Sequence, residues 1–169
     1  MKWFKQKSND EFLEIIRNYQ GIIHKVCRIY FRSQADRDEN FQEILYQLWK
    51  SYPTLSDKAK IGSWMYKVAI YTSIVKIRKD SRLSFPDKMP DNRSEGFEDM
   101  LHSNEEIEVL YLAIGKLSEI ERAIILLYLE DKEYSEISEI MGISVSNVGV
   151  KILRIKEKLK ELMEVHYGR

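Results

Sequence analysis

Apolar side chains recur along this chain at spacings of three and four, the mark of a helix with one buried face. Phe12, Ile15, Ile16, Tyr19, Ile22, Ile23, Val26, Cys27 and Tyr30 make one such stripe, with Gly21 as its candidate bend. In "ENFQEILYQLWKSYP", Phe41, Ile44, Leu45, Leu48 and Trp49 make a second, and Pro53 marks its end. After the polar "TLSDKAK", a third stripe runs through Ile61, Trp64, Met65, Val68, Ala69, Thr72 and Val75. No strand-like alternation competes with these periods. The pattern lapses in "RLSFPDKMPDNRSEGFEDMLHSNEE", which is polar, acidic and holds two of the three prolines. It returns near Glu105 in "IEVLYLAIGKL". Ser118 and Glu121 then stand at capping-box spacing before the apolar "AIILLYL".

These periods predict an all-α protein of two small helical domains. The first spans 8–82, the second 105–165, and an acidic flexible linker, 83–104, joins them. A chain of 169 residues is long enough for both.

The last stretch carries most information. "YSEISEIMG" predicts a short helix with Ile137, Ile140 and Met141 on one side, Ser135 as its N-cap and Gly142 in the left-handed C-terminal position. Ile143 and Ser144 complete a turn, and Ser144 caps the next helix. There Val145, Val148, Ile152, Ile155, Leu159 and Leu162 keep the core-facing beat. A short helix, a glycine turn and a longer basic helix make a helix-turn-helix, whose second helix enters the DNA major groove N-terminus first. Ser146, Asn147, Val150 and Arg154 project away from the core stripe, with Lys151 and Lys158 at one flank. Asn pairs with adenine edges, Arg with guanine edges, Val meets a thymine methyl, and Lys more often holds phosphate. Gly149 is expected to permit close approach of a neighbouring helix. The competing reading is a basic surface helix of an ordinary bundle.

Charge changes the picture only locally. Lysine and arginine total 27, as do aspartate and glutamate, so the net charge is zero. Yet residues 65–82 and 144–160 each carry a net +4, and residues 83–108 carry −6. Local patches decide where a phosphate backbone binds. With the acidic stretch between them, the two basic segments are expected to fold toward each other when the protein is free. The single Cys27 allows no internal disulfide, and the three histidines suggest no metal site. No phosphate-binding glycine loop or catalytic triad spacing stands out, so no enzyme, metal or cofactor is expected. No apolar run approaches the roughly 20 residues of a membrane span, and the N-terminus lacks a signal-peptide core, which predicts a cytoplasmic protein without membrane insertion.

With these motifs in place, the chain resembles extracytoplasmic-function (ECF) sigma factors of the sigma-70 superfamily. "LSEIERAIILLYLEDKEYSEISEIMGISVSNVGVKILRIKEKLKEL" resembles their region 4, and "RDENFQEILYQLWKSYPTLSDKAKIGSWMYKVAIYTSIVKIRK" their region 2. The form "NVGVKILRIKEKL" is most similar to members from Bacteroidetes-type bacteria. The resemblance implies a promoter-specificity subunit. Region 2 is expected to bind the β′ clamp helices of core RNA polymerase and to open the −10 element. Region 4 is expected to bind the β flap and read the −35 element. An anti-sigma factor is a further expected partner.

Carried over by residue, the polymerase-binding motif falls on Asp38, Glu39, Asn40, Phe41, Gln42 and Glu43. Asn40 is the larger departure from the usual Glu-Asp-Leu-apolar-Gln-Glu. The promoter-opening part falls on the loop from Tyr52 to Lys60 and the helix after it. There Trp64, Tyr66 and Tyr71 offer rings for stacking, and Lys67, Lys76, Arg78 and Lys79 offer charge to a single strand. Trp64 lies on the apolar stripe, so core packing competes with stacking. Tyr71 stands where the family often has Asn, and the loop lacks the family's common Gly. The alternative to a sigma factor is a stand-alone helix-turn-helix transcriptional regulator.

Overall fold

The protein is described here by a computed structural model covering residues 2–83 and 104–168. Apart from its end residues Leu83 and Asn104, the expected linker at 83–104 lies outside the described residues. Seven α-helices follow in order: α1 (Lys2–Tyr30), α2 (Gln34–Ser51), α3 (Ile61–Leu83), α4 (Glu105–Ile114), α5 (Glu119–Leu129), α6 (Tyr134–Met141) and α7 (Val145–His166). Two single turns of 3-10 helix, Tyr52–Thr54 and Lys58–Lys60, bridge α2 and α3. Among the described residues there is no strand, as the periodicity predicts. Helix α1 passes through Gly21 without interruption.

Helices α1, α2 and α3 pack on one another. Ile23, Val26, Ile44, Leu48, Met65, Ala69 and Ile70 are fully buried between them. Burial of this kind supplies most of the stability of such a bundle, about 1.5–3 kcal/mol for each large side chain before entropy is subtracted. Asn40 lies in the same core. Its side-chain amide donates to Ser73 Oγ at 2.8 Å and reaches Cys27 Sγ at 3.5 Å, so one polar group links all three helices.

Helix α3 is rotated relative to its predicted stripe. Met65, Tyr66, Ala69, Ile70, Ser73 and Ile74 are buried, whereas Trp64 and Val68 are half-buried and Val75 is exposed. The helix is apolar on more than one side, so its own period leaves the buried side open. Contacts from α1, α2 and the second group of helices make the choice.

That second group, α4, α5 and α6, is gathered around α7. Ser118 begins α5 with a complete capping box: its hydroxyl accepts from the Glu121 N–H, and the Glu121 carboxylate accepts from the Ser118 N–H. Helix α6 ends at Gly142 with φ +66°, the left-handed conformation a glycine adopts without a side-chain clash. Ser144 caps α7 by accepting from the Asn147 N–H at 3.2 Å. Two expectations fail. Helix α6 is capped by Glu133, through a capping box with Glu136, and Ser135 lies inside the helix. Val145, placed on the core stripe of α7, is exposed because it precedes the first turn that reaches the core.

The two groups meet directly. Helix α1 packs against α5, and α3 against α6. Tyr30 donates to the Glu119 carbonyl at 2.6 Å, and the Arg28 guanidinium lies 4.3 Å from the Tyr111 ring centroid. A single apolar cluster runs through both groups.

Candidate nucleic-acid interface

Three surfaces present the residues that the sequence singles out. On α7 the core side is Val148, Ile152, Ile155 and Leu159, all buried. The opposite side exposes Ser146, Asn147, Val150 and Arg154, as the periodicity predicts, and Lys151 is half-buried at the flank. Lys158 is bonded to Glu121 at 3.0 Å, so its charge is partly committed within the fold. Leu153, outside the set the sequence singles out, is 61% exposed and lies beside Val150 and Arg154 on this face. Its signal was available: a leucine outside the core stripe of a basic helix. A Cβ on Gly149 would stand 3.5 Å from Tyr134 Cε2, ordinary van der Waals contact. The approach of Tyr134 is therefore real, but it does not demand glycine.

The second surface belongs to α3 and the turn before it. Lys67, Arg78 and Lys79 are exposed, Tyr71 is 38% exposed, and Trp64 is half-buried near Tyr52, with ring centroids 6.3 Å apart. Tyr66 departs from its expected role. Its ring is buried, its hydroxyl donates to Glu130 at 3.1 Å, and Lys132 lies 5.7 Å from the ring centroid. Burial, with the Glu130 carboxylate beside it, drives the phenol well above its ordinary pKa. In this conformation Tyr66 is a core residue and offers no stacking face. Lys76 is largely covered and pairs with Glu39 at 2.9 Å and Asp80 at 3.7 Å. Burial alone would lower its pKa, but the two carboxylates outweigh it and the ammonium is held charged.

The third surface lies on α2. Asp38, Glu39, Gln42 and Glu43 are exposed, and Glu43 accepts from Gln47 at 2.8 Å. Phe41 is half-buried and stacks on His24, centroids 4.6 Å apart. Asn40 corrects the reading of this motif. It is fully buried, so it faces the core and not a partner. Leu, the usual residue of the motif at this place, has the apolar side chain such a core position favours.

Among the described residues no group of three or more His, Cys, Asp or Glu side chains is placed to hold a metal. No described helix is long and apolar enough to cross a membrane.

Family descriptions match both groups of helices: sigma-70 region 2 over residues 15–83, and sigma-70 region 4 over residues 107–159. The chain belongs to the sigma-70 family. Its similarity to ECF sigma factor SigW of Bacillus subtilis is 25% identity, covering 95% of this chain and 93% of SigW. RNA polymerase sigma factor SigZ of the same organism is 29% identical, over 92% of this chain and 84% of SigZ. RNA polymerase sigma-H factor of Bacillus licheniformis is 26% identical, over 89% and 79%. The fold is shared with the sigma factor RpoE of Bartonella quintana, solved in complex with the anti-sigma factor NepR: TM-score 0.64 at 17% identity, covering 98% of this chain and 99% of that one. In this sigma factor, helices α1–α3 carry region 2 and α4–α7 carry region 4.

Proposed function

We propose that the chain is an ECF sigma factor: it binds core RNA polymerase, directs it to promoters and helps open the duplex, doing no covalent chemistry itself. One observation carries this reading. A region 4 helix-turn-helix with a solvent-facing Ser146–Asn147–Val150–Arg154 surface follows a region 2 in the same chain. A stand-alone regulator has no use for region 2.

Within this reading α7 reads the −35 element, with Arg154 and Asn147 at base edges and Lys151 and Lys158 on phosphates. The exposed part of α3, with Trp64, Tyr71, Lys67, Arg78 and Lys79, takes the melted −10 strand. Asp38, Glu39, Gln42 and Glu43 face the polymerase clamp, and region 4 also meets the β flap. Residues 83–104 are the linker between two functional domains, 8–82 and 105–165. The work is cytoplasmic. An anti-sigma partner fits the reading, since the related RpoE is bound by one. The likeness of "NVGVKILRIKEKL" to Bacteroidetes-type members is its finest part.

Run-off transcription with core polymerase over a randomised promoter library tests the proposal. Initiation from a defined promoter class that depends on the added chain is expected. No chain-dependent initiation from any template would overturn it.

A further inference from the structure

The outward side of α7 is apolar along its midline. Ser146, Val150, Leu153 and Glu157 follow one another at spacings of four, three and four, opposite the buried Val148, Ile152, Ile155 and Leu159. Val150 is 47% exposed and Leu153 is 61% exposed. Cations border this line on both sides. Arg154, Lys151 and Lys158 lie along one flank and Lys156 along the other. Lys158 and Lys156 turn back onto α5, to Glu121 at 3.0 Å and to the Tyr128 hydroxyl at 2.6 Å, which leaves the two apolar side chains uncovered. That charge layout selects the partner. A duplex major groove has phosphates along both walls and base edges on its floor, and the thymine C5-methyl is the apolar group on that floor. A helix with an apolar midline and cationic flanks is complementary to a groove whose floor carries methyls. Asn147 and Arg154, which suit purine edges, lie off the midline. Val150 and Leu153 are about 4.5 Å apart along the helix axis, and stacked base pairs are about 3.4 Å apart. The two side chains therefore reach neighbouring base pairs. Glu157 ends the apolar stretch with a charge of the same sign as phosphate, so the contact belongs to the N-terminal half of α7.

We infer that Leu153 and Val150 form a thymine-methyl reader, which selects thymines at two neighbouring base pairs of the −35 element. The inference rests on the reading of α7 as the helix that enters that element. Leu153 is then a specificity-determining residue that works without a hydrogen bond. Its discrimination comes from removing a methyl group and a leucine side chain from water together. Losing one methyl from such a contact is worth about fourfold in affinity. Arg154 and Asn147 read the edges beside these pairs, and the flanking lysines hold the phosphates.

Uracil differs from thymine only by the missing methyl, so the test exchanges one for the other. Run-off transcription with core polymerase and the full chain first finds the preferred −35 sequence in a randomised library. Each thymine of that element, on either strand, is then replaced singly by deoxyuridine. The wild type is expected to lose initiation by about fourfold at two neighbouring base pairs. Leu153→Ala should use thymine and uracil equally at one of these pairs and keep its response at the other. Leu153→Met restores an apolar side chain of similar reach and should respond to the methyl again. Lys158→Ala, weaker on every template, should keep both responses. A preferred element without thymine, or equal use of thymine and uracil by the wild type, overturns the inference. So does a methyl response that Leu153→Ala retains at both pairs, or a Leu153→Ala variant inactive on every template. In each of these cases initiation that depends on the wild-type chain spares the functional reading. No chain-dependent initiation from any template rejects the functional reading, and the inference with it.

Discussion

Asn40 shows how one residue can serve the core at a place in a partner-binding motif. Its amide has two partners, but its Oδ1 has none among the described residues. An unsatisfied buried acceptor costs about 1–3 kcal/mol. Asn40→Leu is therefore expected to leave stability equal or higher by about 1 kcal/mol, since Ser73 keeps its bond to the Ala69 carbonyl at 2.8 Å. Asn40→Ala leaves a cavity and is expected to cost about 2 kcal/mol. Chemical denaturation of the two variants checks both signs; a leucine variant less stable than the alanine one would refute the account. On α7 the side chains divide by task. Arg154→Ala and Asn147→Ala are expected to change sequence preference in a randomised duplex library, by about 1–3 kcal/mol of discrimination at the affected positions. Lys158→Ala should weaken all sequences alike, and only modestly, because Glu121 already shares its charge. An unchanged preference profile for Arg154→Ala would show that this face does not read bases.

At the scale of elements, the helix ends are where the local sequence acts most directly. Glu121 closes the α5 capping box and pairs with Lys158. Burial alone would raise its pKa, but the Ser118 N–H and hydroxyl and the Lys158 ammonium outweigh it, so the carboxyl titrates below its ordinary value. A carboxylate depressed in the fold stabilises above its unfolded pKa, and that contribution is lost as pH falls through the folded value. Glu121→Gln keeps a capping side chain but loses the charge. It is expected to be less stable at neutral pH and to lose less stability on acidification, as thermal melts from pH 7 to pH 3 would read. A parallel acid limb in wild type and variant would rule this out. Gly142 offers a second check, because its φ of +66° strains any residue with a Cβ. Gly142→Ala is expected to cost about 1–2 kcal/mol, while Gly149→Ala, with only ordinary contact to Tyr134, should be neutral or stabilising.

Across the whole molecule, the candidate polymerase face on α2 and the reading face of α7 are open, and the contact between regions lies on the side of α1 and α3. Gln42→Ala/Glu43→Ala should weaken binding to core polymerase without changing the melting temperature, since both residues are exposed and such substitutions usually stay within about 0.5 kcal/mol. Unchanged affinity would remove these two from the interface. Spin labels at the exposed positions Lys50 and Glu161 are expected to give one narrow distance in the free protein and a longer one on the polymerase. A distance that stays unchanged on the polymerase would show that the regions act as one body.

The helices themselves were legible because each buries an apolar stripe of its own, and period and caps are local properties. The stripe of α7 and the left-handed turn at Gly142 were readable for that reason, and so was the open face with Asn147 and Arg154. The rotation of α3 was not, since a helix apolar on several sides takes its orientation from its neighbours. The burial of Tyr66 and Asn40 followed the same rule: a tyrosine or asparagine reads as polar surface until a partner, here Glu130 or Ser73, lies within reach. The covering of α3 by α6 was hidden most deeply. It joins residues such as Lys60 and Glu139 that lie far apart in the chain, and only the packing of one region on the other brings their charges together.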